Sequence, residues 1–151
     1  KKQIMSQERC DEILNKATSG VLNLLGDDDY PYGVPISFVY KNNKLYFHGM
    51  TKVHKVAAMK KHDKASFTII DTDHVVPKEW TTYFRSVIVF GRMKFIEDNE
   101  EKKIAHAYLI DKYSPDFKEG SEEDLLKRID SVGIYEMEID HISGKEAIEF
   151  V

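Results

Sequence analysis

Cysteine, proline and long apolar runs are scarce in this sequence. Its 151 residues contain one cysteine, Cys10, and four prolines. A single cysteine excludes an internal disulfide and any multi-cysteine zinc site, and it is compatible with a reducing compartment. No apolar run approaches the roughly 18 residues of a membrane-spanning helix, and no signal peptide is recognisable. We therefore expect a cytoplasmic protein that has no membrane partner.

An excess of positive charge is missing as well, because the formal net charge is -4 at pH 7. General nucleic-acid binders rely on a basic surface that releases counterions from the phosphate backbone. We therefore expect no nucleic-acid partner. The hydrophobic content of 42% and the charged content of 32% are ordinary for a globular domain, and a chain of this length can bury one core. Residues 1–151 are predicted to form a single domain.

Most of the chain has the short alternating or β-branched pattern of β-strands. We predict six strands, at residues 21–25, 32–40, 44–48, 65–70, 85–97 and 132–140. Turn-rich stretches between the first three strands predict a three-stranded meander. The segment between the fourth and fifth strands contains Pro77 and Trp80 and is predicted to be irregular.

Helices are predicted around and between these strands. Ser6 is a candidate N-cap for a helix that ends near Ala17, and Cys10 lies on the apolar face of that helix. We therefore assign Cys10 to the core rather than to nucleophilic catalysis. Asp98 is a candidate N-cap for a helix at residues 99–113, and a further short helix precedes the last strand.

The helix at residues 99–113 is predicted to turn Ile104, Tyr108 and Leu109 toward the core, because these residues have helical spacing. The chain shows no internal repeat and no long linker. The predicted fold class is therefore mainly β with inserted helices, with six antiparallel strands closed into one small barrel.

Gly33 and Pro35 lie inside the predicted second strand. Proline cannot donate a hydrogen bond to a neighbouring strand, and glycine has no side chain to block access. The strand could therefore offer free backbone groups to a flat ligand. It could equally be an edge strand in which proline prevents aggregation.

Residues 45–62, LYFHGMTKVHKVAAMKKH, join the end of a strand to a helix-like run rich in cations. The free amide groups of a helix start, together with Lys52, His54 and Lys55, would suit a phosphate dianion. Spacing alone leaves open whether these lysines bind an anion or are simply solvated. A solvated face is expected to carry Lys60, Lys61 and Lys64.

His48 closes the predicted third strand. A histidine at a strand end is either a hydrogen-bonded structural residue or a functional one. A metal pair of His48 and His54 could be proposed, but with His62 they lack a recognisable ligand spacing and no carboxylate completes the set. We therefore expect no metal site.

Five motifs in order along the chain resemble those of the pyridoxamine 5'-phosphate oxidase-related flavoproteins, and most closely their nitroimidazole-resistance-like branch. The motifs are YPYGVPISFVY, KLYFHGMTKVHKVAAMKKHDKASFTI, YFRSVIVFGRMKFIED, KYSPDF and IDHISGKEA. The resemblance spans about residues 6–148. It implies a six-stranded antiparallel split β-barrel that binds FMN between the two subunits of a homodimer.

The resemblance also implies which residues contact FMN. The phosphate-binding segment falls on Lys52, His54 and Lys55, and His48 falls on the substrate side of the flavin as the candidate catalytic residue. The other implied contacts are Val34, Pro35, Ile36, Ser37, Phe47, Arg85, Ser86 and Val87.

The chain departs from the parent oxidases, whose phosphate contacts are rich in arginine, because it has Val34 and Val53 at such positions. We therefore expect a small unphosphorylated substrate. The predicted function is that of an FMN-dependent oxidoreductase that passes electrons to a small organic acceptor, with nitroaromatics as one candidate class. The alternative is a non-catalytic barrel that stores or senses flavin or haem, in which His48 or His54 could ligate the haem iron.

Overall fold

Six antiparallel strands form the body of the protein. The computed structural model describes residues 2–50 and 53–151, and the side chains of residues 27, 50 and 53–56 fall outside this description. The strands are β1 (Ser19–Leu25), β2 (Pro31–Lys41), β3 (Lys44–Met50), β4 (Lys64–Val76), β5 (Thr81–Phe95) and β6 (Val132–Glu146). They close into a barrel in the order β1-β2-β3-β6-β5-β4. The expected fold class is confirmed.

Helices connect the strands and cover the barrel. They are α1 (Gln7–Lys16), α2 (Val53–Lys61), α3 (Asn99–Tyr113) and α4 (Ser121–Lys127). Both expected N-caps are present, since the Ser6 hydroxyl accepts from the amide of Arg9 at 3.2 Å and the Asp98 carboxylate accepts from the amide of Glu101 at 3.0 Å. Cys10 is buried as predicted. Within the described residues, none of the helices combines the length and the apolar character needed to cross a membrane.

The barrel interior is filled by large apolar side chains that alternate along the strands. Phe67 packs edge-to-face on Phe38 and Phe47, with ring centroids 4.8 Å and 5.3 Å apart. All three side chains are fully buried, and so are Tyr135 and Met137 on β6. These buried side chains are the apolar, inward-facing residues of the alternating strand pattern.

A second, smaller apolar cluster lies outside the barrel, where α3 and α4 pack on β3 and β6. It contains Tyr46 and Ile134 from the strands and Ala105, Leu109 and Leu125 from the helices. Strand β3 therefore contributes to two separate cores, because its successive side chains point to opposite faces.

The barrel opens locally between β2 and β3. These strands pair only from Phe38↔Phe47 to Lys41↔Lys44, whereas the earlier part of β2, residues 31–37, pairs with β1. Strand β3 pairs with β6 along its whole length, from Lys44↔Glu138 to Met50↔Val132. Among the described residues, no strand covers the second edge of residues 31–37, which agrees with both interpretations of Gly33 and Pro35.

Two details of the predicted secondary structure are wrong. The segment expected to be irregular lies outside the strands only at residues 77–80, because β4 continues to Val76 and β5 begins at Thr81, with a β-bulge between Ile70 and Thr72. Backbone pairing within this ribbon compensates for its weak alternation. In α3, Ile104 is 55% exposed, and the buried face instead holds Lys102, Ala105, His106 and Leu109. The contact with the outer face of the barrel decides which side of the helix is buried.

Candidate functional site

The polar backbone groups of β2 that lack a strand partner point into the opening. The Phe38 amide donates to the Tyr113 hydroxyl at 3.0 Å, and the same hydroxyl lies 2.7 Å from the carbonyl oxygen of Thr18, just before β1. The backbone groups of Phe38 therefore face β1. The backbone N–H and C=O groups of successive residues point to alternate edges of a strand. The backbone groups of Gly33, Pro35 and Ser37 therefore face the opposite, open edge.

Pro35, which has no amide hydrogen, therefore lies at a position where no neighbouring strand of the described residues would accept a hydrogen bond from it. The open edge can offer amide donors from Gly33 and Ser37 and carbonyl acceptors from all three residues. A flat ligand that has both donors and acceptors along one edge would complement this pattern.

A cavity of about 380 Å³ lies next to the opening, between the diverging strands and the helices. Ser37 and His48 contribute to its wall from β2 and β3, one residue beyond the last paired position. His106 and Tyr113 contribute from α3, and Arg128 contributes from the end of α4. Residues that are distant in the sequence thus converge on one cavity.

Both histidines of this cavity favour the neutral state. The rings of His48 and His106 lie 6.5 Å apart between centroids. Desolvation lowers the pKa of His48, and the positive charge of Arg128 lowers it further. Desolvation, then His48 and then Arg128 lower the pKa of His106, against a smaller opposing effect of Asp124. Each neutral imidazole offers one N–H donor and one nitrogen acceptor.

Arg128 is held in place by an acidic neighbour. Its Nε donates to the Asp124 carboxylate at 3.1 Å, and its Nη2 lies 3.1 Å from the same oxygen. The guanidinium cannot lose its proton at physiological pH. The cavity therefore has a permanent positive charge beside two titratable rings.

The predicted phosphate segment can be located only in part. Lys52 lies outside the described residues, while His54 and Lys55 belong to the first turn of α2 with side chains outside the description. The lysines expected on a solvated face, Lys60, Lys61 and Lys64, are exposed.

The side chains of several predicted site residues point into the barrel core. Within one chain, only the backbone atoms of these residues could contact a ligand at the opening. Val34 and Ile36 point inward and pack against the barrel core, and Phe47 is fully buried in that core. Pro35 and Ser37 are exposed on the other face of β2, and His48 is exposed beside the cavity.

The predicted segment from Arg85 to Val87 lies elsewhere on the barrel. Two strands separate β5 from β2 in either direction around the barrel. Val87 is fully buried. The Arg85 Nε donates to Glu146 at 3.0 Å, and its guanidinium lies 3.9 Å from the centre of the Phe150 ring. Ser86 is half-buried. Within one chain, this segment and the β2–β3 opening do not form a single site.

Three residues of the cavity, His106, Tyr113 and Arg128, are not predicted from the sequence. The spacing of His106, Leu109 and Tyr113 places them on one face of α3, so the sequence could have predicted that they lie together. They were not grouped because the buried face was predicted to contain Ile104. No local pattern identifies Arg128, because the fold of α4 brings it to the cavity.

Comparison with protein families assigns the chain to a known group. The profile of the family described as pyridoxamine 5'-phosphate oxidase matches residues 6–146. The chain belongs to the pyridoxamine 5'-phosphate oxidase family. This confirms the resemblance inferred from the sequence motifs. No curated protein matches the chain significantly.

Several solved structures have the same fold. A candidate 5-nitroimidazole antibiotic resistance protein from Bacteroides thetaiotaomicron matches with a TM-score of 0.80 and 23% identity, over 95% of this chain and 86% of that chain. An FAD and heme binding protein from Mycobacterium smegmatis matches with a TM-score of 0.78 and 24% identity, over 98% of this chain and 74% of that chain.

An FAD-binding protein from Mesorhizobium loti matches over similar lengths, with a TM-score of 0.69, 22% identity, and coverage of 96% of this chain and 97% of that chain. At these identities the likeness establishes the fold. The split-barrel architecture is therefore shared by flavin-binding neighbours and by a neighbour connected with nitroimidazole resistance.

Proposed function

We propose that this protein is a cytoplasmic flavoprotein that binds FMN at the interface of a homodimer and passes electrons to a small organic acceptor, with nitroaromatics as a candidate class. One observation carries the proposal: the open edge of β2 presents the backbone groups of Gly33, Pro35 and Ser37 next to His48. Family membership and the FAD-binding neighbours support it.

The described residues fit the flavin ring. One edge of the isoalloxazine system alternates carbonyl oxygens with an N–H group, and the free edge of β2 can offer amides and carbonyls in return. The amides at the start of α2 would suit the ribityl phosphate, because a helix N-terminus attracts anions. Lys52 and Lys55 are the proposed cationic partners of that phosphate.

A bound flavin would supply the redox chemistry, accepting electrons from a donor such as a reduced nicotinamide and passing them to the acceptor. The chain would bind and orient the ring, exclude water and position polar groups. His48 is the proposed catalytic residue, since its neutral imidazole can hold or donate a proton beside the opening. A haem-binding role is the alternative that an absorption spectrum would reveal through a Soret band.

A second copy of the chain would complete this site. Arg85–Val87 is two strands away from the opening, so a site that uses both segments needs two subunits. The outer face of β4 and β5 also exposes apolar side chains, with Ile70 69% exposed, Ile88 36% and Phe90 43%. A two-fold partner would remove this surface from water.

Titration of the protein with FMN and with riboflavin tests the proposal. We expect a clear preference for FMN, because only FMN carries the phosphate. Equal affinity for both compounds, or no affinity for either, would exclude the proposed phosphate site. Light scattering on the same sample should show a dimer, and a monomer that retains FMN tightly would contradict the shared site.

Replacing Lys55 by Ala should weaken FMN binding by about 1.5 to 3 kcal/mol, the usual range for a hydrogen bond that involves a charged group. Lys60→Ala is the matched control, because Lys60 is an exposed lysine of the same helix. Similar losses for the two variants would show that the lysines act as a diffuse field rather than as a site.

A further inference from the structure

The cavity beneath α3 has one apolar wall and one cationic end. Leu109 and Ile110 provide apolar surface, while His106, Tyr113 and Arg128 provide polar groups. Ligand pockets commonly combine a mainly apolar lining with a few fixed polar groups that orient the ligand. The arrangement suits a small molecule that has a flat apolar body and one strongly polar substituent.

Arg128 contributes a permanent positive charge to the wall of this cavity. Arg128 lowers the pKa of both His48 and His106, and the opposing effect of Asp124 reaches only His106, where it is the smallest contribution. Asp124 engages the donors on Nε and Nη2 of Arg128. A guanidinium has five N–H donors in total, so it can contact a second anionic group while it remains paired with Asp124.

We propose that this cavity selects small planar organic anions, with the ring against Leu109 and Ile110 and a carboxylate or similar oxygen group directed to Arg128 and His106. That the bound anion is the electron acceptor rests on the proposed function. The preference for an anion stands on the charge and shape of the cavity alone.

Binding of an anion is coupled to the histidines by proton linkage. A negative charge beside an imidazole favours its protonated form, so the ligand should raise the pKa of His48 and His106. The anion should therefore bind more tightly as the pH falls toward the usual histidine range. The ionisable groups that surround the ligand are these two histidines, Tyr113, Arg128 and Asp124.

Calorimetric titration with benzoate and with benzamide, a neutral analogue of nearly the same shape, measures the preference directly. At about pH 6.5 we expect benzoate to bind at least about tenfold more tightly, the equivalent of one charge-assisted hydrogen bond. Arg128→Gln should reduce the difference to about threefold or less. Arg92→Gln is the control, because Arg92 is an exposed arginine on β5 that pairs with Asp63 and Asp140.

Proton NMR of the histidine rings in the unmodified protein provides a second measurement that needs neither a variant nor flavin. Benzoate should raise the pKa of the His48 and His106 rings and leave His141, which stacks on Phe90, unchanged. Equal binding of benzoate and benzamide, or an unaltered ratio in Arg128→Gln, would overturn the proposal.

The outcome separates this inference from the proposed function. Selective benzoate binding by a protein that shows no flavin-dependent turnover would support the anion site and refute the oxidoreductase. Flavin-dependent reduction of nitrobenzamide and nitrobenzoate with equal efficiency, together with no benzoate preference, would refute the anion site alone.

Discussion

The interior of the barrel and the cavity beneath α3 use the same strands for opposite purposes. Along β3, Leu45 and Phe47 point inward and are fully buried, whereas Tyr46 and His48 point outward toward the helices. The interior is apolar and closely packed, while the outer cavity contains two histidines and an arginine. Because alternate residues of a strand face opposite sides, the protein can separate stability from binding without separating them in sequence.

The difference also has a structural cause at β2. From Phe38 onward this strand pairs with β3 instead of β1, and its Phe38 side chain fills the barrel. Before Phe38 one edge is open, and Ser37 lines the cavity. The following changes test how independent the two regions are.

Phe67→Ala should have the largest effect on stability. The side chain is fully buried between Phe38 and Phe47, and its removal should lower the free energy of unfolding by about 3 to 5 kcal/mol. Urea denaturation measures this loss. Phe117→Ala, at a position 79% exposed, should change stability by less than about 0.5 kcal/mol. A small loss for Phe67→Ala would mean that the interior is loosely packed.

Tyr113→Phe removes a hydroxyl group that joins the two regions. The hydroxyl accepts from the Phe38 amide at 3.0 Å and lies 2.5 Å from the Phe38 carbonyl oxygen. We expect the free energy of unfolding to fall by about 1 to 3 kcal/mol, because the Phe38 amide would lose its hydrogen-bond acceptor. Denaturation of Tyr30→Phe, in which the changed residue is 73% exposed, is the comparison. Equal stability of the two variants would show that the hydrogen bonds of this hydroxyl do not stabilise the packing of α3 on the barrel.

His48→Ala should separate catalysis from stability. We expect the free energy of unfolding to fall by less than about 1 kcal/mol, because the residue is exposed. If His48 acts beside the flavin, electron transfer to a small acceptor should slow while flavin content stays nearly unchanged. Stopped-flow reoxidation of the reduced protein gives the rate. A lower melting temperature with unchanged reoxidation would assign His48 to a structural role.

The smallest expected effect is a change of stability with pH. The pKa values of His48 and His106 are lowered in the folded state, so the unfolded chain takes up protons first as the pH falls. Their stabilising effect is present above the unfolded pKa and is lost as the pH drops through the folded pKa. We expect the melting temperature to decrease between about pH 7.5 and pH 5.5.

The double variant His48→Gln with His106→Gln is the control for this pH effect. It should show a smaller decrease over the same range, because the two titrating groups are gone. An identical decrease in the variant and the unmodified protein would assign the pH dependence to other groups.

Local patterns in the sequence predicted much of the fold. Alternation places Val87, Val89 and Met93 on one face of β5, and all three are buried. The proline at position 35 indicated an unpaired edge of β2. Cap residues located the starts of α1 and α3. Each of these signals acts within a few residues, where backbone geometry and side-chain chemistry are sufficient.

The candidate site was less predictable. The sequence singled out His48 and the β2 segment as candidates but not His106 and Arg128, because the position of these two beside His48 depends on how helices pack on a distant strand. The outer end of the β4–β5 ribbon was also missed, since backbone pairing stabilises it despite weak alternation. In each case the deciding contact joins residues that are far apart in the chain.

The sequence by itself determined the number of strands and most of their positions, the starts of α1 and α3, and the family of the protein. Periodicity and proline chemistry are properties of short segments, and the ordered motifs are properties of the chain. Only the tertiary structure decided that Ser37 and His48 lie side by side beneath α3 and that Arg128 joins them. It alone also placed Arg85 two strands away from the opening. Barrel closure and helix packing set these distances, because they minimise exposed apolar area over the whole molecule rather than within any one segment.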